Sequence, residues 1–301
     1  MNDRILHGLS ILSVLIVLIV VLMGALVTNT GSAYGCGNNW PLCYGQVIPT
    51  AHQTQTWIEF SHRVVSGLAS ILVVIQAVWV WIRLGKVRET KFLAISSVFF
   101  IFLQAFLGAA AVLWGQSSVV LAMHFGISLL SFASVLLIGF IVYEETKFKT
   151  GRIVPNIKPG MRWNIVLLSI YSFILIYSGA FVRHTNSTLG CTDFPLCNGQ
   201  WVPPLISKAG FQFIHRFMAL VIVIWLIATL IACIKRYKQT PGLALVVVFS
   251  IIFVLLQAVT GIFIIQTNAA LTFLILHAFF VTCFFGLLMI LLMLSLRKHS
   301  R

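Results

Sequence analysis

The chain has 301 residues, of which 60% are hydrophobic and 9% charged, with a formal net charge of +14. An ordinary soluble domain carries about a quarter charged residues, so this composition excludes water as the main solvent and puts the chain in a membrane. The surplus cations are scattered through loops, which fits anionic lipid as the partner and excludes nucleic acid.

Residues 5 to 58 contain no Lys, Arg, Asp or Glu, room for a spanning helix and a long loop. With Arg4 ahead and Gly31-Ser32-Ala33 behind, the apolar part resembles a secretory signal peptide. It is too long for a signal core and has a counterpart at residues 163 to 185, so it reads as a retained helix. Residues 64 to 82 hold the second span. Residues 92 to 143 suffice for two helices of about 20 residues each, divided at Gly115-Gln116-Ser117-Ser118. A polar stretch, 144 to 162, with Gly151, Pro155, Pro159 and five cations, reads as a linker. Residues 163 to 182 and 217 to 234 hold one span each, and 239 to 296 holds two, divided at Gln266-Thr267-Asn268. The total is eight helices. Without period-2 alternation a transmembrane barrel is excluded.

Sixteen of the twenty cations fall at Arg4, Arg83 to Lys91, Lys147 to Arg162, Lys235 to Lys238 and Arg297 to Arg301. Cations mark the retained side, so both termini are expected in the cytoplasm of a cell-membrane protein, with the cysteine-bearing loops outside.

The chain is internally duplicated. Glu59-Phe60-Ser61-His62-Arg63 matches Gln212-Phe213-Ile214-His215-Arg216, and Gln104-Ala105 with Gly108 matches Gln257-Ala258 with Gly261, each at an offset of 153. His124 and His277 keep that offset, so 62 residues separate the two histidines of either half. At an offset one or two residues larger, Gly24-Ala25 matches Gly179-Ala180, and Pro41-Leu42-Cys43 with Gly45-Gln46 matches Pro195-Leu196-Cys197 with Gly199-Gln200. Four helices per repeat make this a parallel repeat. The expected architecture is two tandem four-helix bundles, 1–150 and 151–301, about a pseudo-two-fold axis near the membrane normal.

Of eight histidines only His62, His124, His215 and His277 survive the duplication. A lone helical histidine is usually a packed core residue; four at equivalent positions point to a site. Counted from the outer breaks, His124 and His277 lie about 9 to 13 Å along their helices at 1.5 Å per residue, while His62 and His215 are expected at the outer interface. Two imidazoles per half, with no Cys or Asp to complete a tetrahedron, suit haem better than zinc. No Cys-x-x-Cys-His occurs, so such a haem is not thioether-linked.

Arg63 and Arg216 directly follow a repeat histidine, and either snorkel to headgroups or pair with haem propionates. Glu59 stands three residues before His62, on the same helical face, where its partner is the neutral Gln212. That asymmetry assigns chemistry to the first half, with Glu59 exchanging protons there, against the plainer role of an interfacial cap. Cys36 with Cys43, and Cys191 with Cys197, fall in the duplicated loops and read as disulfides in an oxidising compartment, each stabilising by about 2 to 3 kcal/mol. A redox-active thiol pair is the alternative. Cys233 and Cys283 read as packing residues.

On these features the sequence resembles the haem A synthases that serve haem-copper oxidases. The resemblance spans nearly the whole chain and rests on the eight helices, the Glu59-to-Arg63 segment with its Gln212-to-Arg216 echo, the four histidines and the cysteine pairs of the bacterial form. It implies oxidation of the C8 methyl of haem O to a formyl group by successive hydroxylation. It further implies His215 and His277 as ligands of a haem b cofactor, His62 and His124 flanking the substrate haem, and Glu59 as the essential acid. Haem O synthase and an electron donor are the implied partners, and a homo-oligomer is compatible with the sequence. The rival expectations are a dihaem b electron carrier from quinol to a periplasmic acceptor, and a transporter of haem or another hydrophobic solute.

Overall fold

A computed structural model describes residues 3–50, 53–115, 117–147 and 153–297. Eight helices account for nearly all of them: α1 (Asp3–Asn29), α2 (Thr54–Leu84), α3 (Thr90–Leu113), α4 (Ser118–Lys147), α5 (Pro159–His184), α6 (Lys208–Arg236), α7 (Pro241–Gln266) and α8 (Leu271–Leu296). All eight are long and apolar enough to cross a membrane, so this is a multi-pass membrane protein. No strand occurs among the described residues; two isolated bridges lie in the loops.

Local chemistry explains the helix ends. The breaks at 115–118 and 266–268 coincide with the α3–α4 and α7–α8 connections, where Gly115, Asn268 and Ala269 take positive φ; Gln116 lies outside the described residues. Pro159 and Pro241 stand at first helical positions, where a missing N–H costs nothing. The 144-to-162 linker is shorter than the charge pattern implied. Glu144, Glu145 and Thr146 continue α4 to Lys147 and Pro159 already starts α5, because a charged side chain at a membrane edge is compatible with helix.

The chain divides into two compact units, Met1–Arg152 and Ile153–Arg301. In the first, α1 packs on α2 and α4, and α3 on the same two, closing a four-helix ring; α5 to α8 repeat the pattern in the second. Val17, Val73, Ile101 and Val135 fill the first bundle, and Ile165, Leu168, Ile222, Leu226, Leu243 and Leu288 the second. Lipid is as apolar as these side chains, so close approach rather than water exclusion holds the helices. Gly139 of α4 shows it: a Cβ there would stand 3.2 Å from Val14 Cγ2 of α1. Outward the pattern inverts. Ile11, Leu15 and Ile19 form an apolar stripe at i, i+4, i+8, each about half exposed at 49 to 51%.

Each unit carries a folded loop between its first two helices. Cys36 bonds to Cys43 and Cys191 to Cys197, and all four cysteines are buried. Beyond each disulfide a two-residue turn closes a small bridge, Tyr44-Gly45 between Cys43 and Gln46, and Asn198-Gly199 between Cys197 and Gln200. Both central residues of each turn have φ between 52° and 76°, the primed-turn geometry that demands glycine at one position. The Trp40–Pro41 and Phe194–Pro195 peptide bonds are both cis.

Candidate haem site

The four repeat histidines occupy one level of their bundles. His62 and His215 lie eight and seven residues into α2 and α6, and His124 and His277 six residues into α4 and α8, all counted from the cysteine-loop end. At 1.5 Å per residue that is about 9 to 12 Å. The helix starts expected at His62 and His215 are corrected: Thr54 and Lys208 begin α2 and α6 two turns earlier. Within each unit the two imidazoles come from α2 and α4, or from α6 and α8, at matching depth.

Each imidazole faces a glycine of a neighbouring helix. A Cβ added to Gly24 would stand 3.5 Å from His62 Cε1, and one on Gly108 would stand 3.2 Å from His124 Cε1. The corresponding distances are 2.9 Å for Gly179 to His215 and 3.6 Å for Gly261 to His277. The duplicated glycines visible in the sequence are therefore the clearance that four rings require. No cluster of three or more His, Cys, Asp or Glu that could hold a metal ion occurs among the described residues. A metal group held by two imidazoles alone would have to complete its own coordination, as a haem iron does. The donor set and the glycine-cleared rings fit haem.

The second nitrogens of the rings separate the two units. His215 Nδ1 lies 2.8 Å from Ser178 Oγ, and His277 Nδ1 lies 3.1 Å from Thr260 Oγ1. His62 Nδ1 and His124 Nδ1 are buried with no hydrogen-bond partner among the described residues. The Gln104 carbonyl acts on the His124 ring, as the Gln257 carbonyl does on His277, without a hydrogen bond to His124 Nδ1. Ser178 and Thr260 immediately precede the ring-facing Gly179 and Gly261, whereas Met23 and Leu107 precede Gly24 and Gly108. Sequence reading missed these hydroxyls, although the polar-for-apolar exchange beside each repeat glycine was the signal.

Glu59 and Arg63 are built into the loop above the first histidine pair. Glu59 is buried; its Oε2 accepts the Cys36 N–H at 2.7 Å and its Oε1 binds the Arg63 guanidinium. Arg63 Nη1 donates to the Asn39 and Leu42 carbonyls at 2.7 and 2.9 Å. Gln212 takes the place of Glu59: its Oε1 accepts the Cys191 N–H, and its Nε2 donates to the Thr188 carbonyl at 2.9 Å. Arg216 Nη1 holds the Asp193 and Leu196 carbonyls, each at 3.0 Å. With no carboxylate at 212, Arg216 Nη2 is left buried without a hydrogen-bond partner among the described residues. Both arginines thus pin their disulfide loops, and only Arg216 keeps a donor in reserve.

In the second loop the Asp193 carboxylate caps the turn, accepting the N–H groups of Asn198 and Gly199. The Gly199 amide, with those of Asn198 and Asp193 itself and the charge of Arg216, holds this carboxyl below the usual carboxylate range against a smaller desolvation effect.

Eight spans in two like units, each with a glycine-cleared histidine pair beneath a disulfide loop, define a duplicated membrane protein suited to haem. A family model described as cytochrome oxidase assembly protein (COX15-CtaA) matches residues 7–289, and the chain belongs to that family. It is similar to the haem A synthase of Shouchella clausii, 43% identical over 298 residues covering 98% of this chain and 99% of the relative. The haem A synthase of Geobacillus kaustophilus is 45% identical over 285 residues, 95% and 90% of the two chains. That of Bacillus licheniformis is 43% identical over 302 residues, 99% of each.

Proposed function

We propose that this chain is a haem A synthase, a membrane-bound oxidoreductase that converts the C8 methyl of haem O to the formyl group of haem A. The observation that carries the reading is a duplicated histidine site in which a carboxylate, Glu59, stands over one pair and an amide, Gln212, over the other. Near-full-length similarity to haem A synthases supports the same reaction. Conversion of methyl to aldehyde is a four-electron oxidation, written as two hydroxylations, each requiring a two-electron oxidant and an oxygen atom from outside the chain, followed by loss of water from the geminal diol.

In this reading His62 and His124 flank the substrate haem, and His215 and His277 hold a haem b cofactor, which when bound supplies one-electron chemistry at its iron. The partnered Nδ1 atoms of the second pair support that division, since histidine ligands of a permanent metal are characteristically oriented from behind. Arg216 Nη2 supports it too, as a buried donor free to take a haem propionate. Glu59, three residues before His62, takes or returns a proton near the reacting methyl while Arg63 balances its charge. The disulfides hold the loops that cover the two pairs.

The protein sits in the cell membrane with both termini cytoplasmic and the disulfide loops outside, as the sixteen-to-four division of its cations supports. Haem O synthase and an electron donor are its expected partners. The test is expression with haem O supplied, followed by extraction and chromatography of the pigments. Haem A is expected; its absence from protein whose bound haem is reducible would leave an electron carrier instead.

A further inference from the structure

We propose that Ser178 and Thr260 are positioning residues that make the His215/His277 pair the haem-retaining site, and that Met23 and Leu107 leave the His62/His124 pair exchangeable. The inference rests on the reading that a resident haem sits at the second pair.

A hydroxyl has one proton to donate and lone pairs to accept with. Ser178 Oγ lies 2.7 Å from the Leu175 carbonyl and donates there. Thr260 Oγ1 lies 3.0 Å from the carbonyls of both Leu256 and Gln257, and its proton is committed to them. Toward the imidazoles both oxygens can therefore only accept. Each ring must carry its proton on Nδ1, and the lone pair of Nε2 is presented for iron. A serine or threonine bonded to its own helix is commonplace; the second contact, to a repeat histidine in both cases, is what sets these two apart.

Orientation of this kind is fixed before any ligand arrives. It removes both the choice between ring tautomers and the rotation of the ring from the cost of binding. In the first unit no hydroxyl selects the tautomer, and His62 Nδ1 and His124 Nδ1 have no hydrogen-bond partner among the described residues. Met23 and Leu107, at the positions of the hydroxyls, offer no acceptor of comparable strength. A substrate haem must enter and a product haem must leave, whereas a cofactor must stay. One scaffold thus obtains a retentive and a releasing site by exchanging two side chains per half.

The test compares haem-loaded wild type with Ser178→Ala, Thr260→Val and Thr260→Ser, measuring haem transfer to excess apomyoglobin and the midpoint potential of the retained haem. Thr260→Val keeps the shape of the side chain and Thr260→Ser keeps the acceptor. Loss of an outer partner of a metal ligand costs about 10- to 100-fold in affinity. Haem should therefore leave Ser178→Ala and Thr260→Val at least about tenfold faster, with a shifted potential, and Thr260→Ser should behave as wild type. In a His277→Ala background, Met23→Ser with Leu107→Thr should slow haem loss from the first pair. Unchanged transfer and potential in both Ser178→Ala and Thr260→Val overturns the inference, as does equal loss from Thr260→Ser and Thr260→Val. If His277→Ala alone leaves the retained haem in place, the resident haem is elsewhere and the underlying reading fails with it.

Discussion

Glu59 Oε2 accepts the backbone N–H of Cys36 at 2.7 Å, so the carboxylate that sequence asymmetry marks for chemistry also fastens the disulfide loop to α2. The second unit separates these tasks, because Gln212 fastens Cys191 in the same way with no charge.

Glu59→Gln should therefore keep the loop tie and the fold, as an amide already does at 212, yet lower haem A formation by about 10²- to 10⁴-fold, the usual worth of a proton-transferring group. Glu59→Ala should lose the tie as well and destabilise by about 1 to 3 kcal/mol. Pigment extraction and thermal unfolding of the two variants check this. Wild-type activity in Glu59→Gln would reduce Glu59 to a cap.

Alanine at the ring-facing glycines should displace the imidazoles in the order of their clearance. Gly179→Ala, with its Cβ 2.9 Å from His215 Cε1, should lose the most bound haem, while Gly261→Ala, at 3.6 Å from His277, should be tolerated. Haem-to-protein ratios after purification measure the order, and equal ratios would remove the glycines from the site.

Reduction of the second loop, by replacing Cys191 and Cys197 with serine, should cost about 2 to 3 kcal/mol on the loop-entropy account. Arg216 and Gln212 still tie that loop to α6, so folding should survive. Thermal unfolding in detergent gives the difference. Complete loss of the folded protein would assign the loop a larger role than its ties suggest.

Asp193 supplies a pH dependence whose sign is determined by its environment. Its folded-state carboxyl titrates below the ordinary value of about 3.9, held down first by the Gly199 amide. Its stabilising effect is therefore complete above that value and lost as the pH falls through the lower, folded-state midpoint. A carboxyl-carbon NMR titration should show the depressed midpoint, and Asp193→Asn should remove that acid-induced loosening of the loop. A midpoint at or above the ordinary value would contradict the capping geometry.

Membrane residence, eight spans, the duplication and the four histidines were all legible in the residues, because each depends on local composition or on spacing along the chain. Hydrocarbon needs about 20 apolar residues per crossing wherever the helix later packs, and a repeat offset survives any tertiary arrangement. The family could be recognised for the same reason. Tertiary structure decided what no spacing contains: that Gly24, Gly108, Gly179 and Gly261 each face an imidazole across a helix boundary, and that Arg63 and Arg216 each turn Nη1 to loop carbonyls. It also decided that Ser178 and Thr260 meet the second ring nitrogens in one unit alone. Such contacts join residues 16 to 38 positions apart, as Gly261 with His277 and Gly24 with His62 do. Their directions depend on how each helix is rotated against its neighbour, and apolar patterning leaves that rotation open when lipid and core are equally apolar.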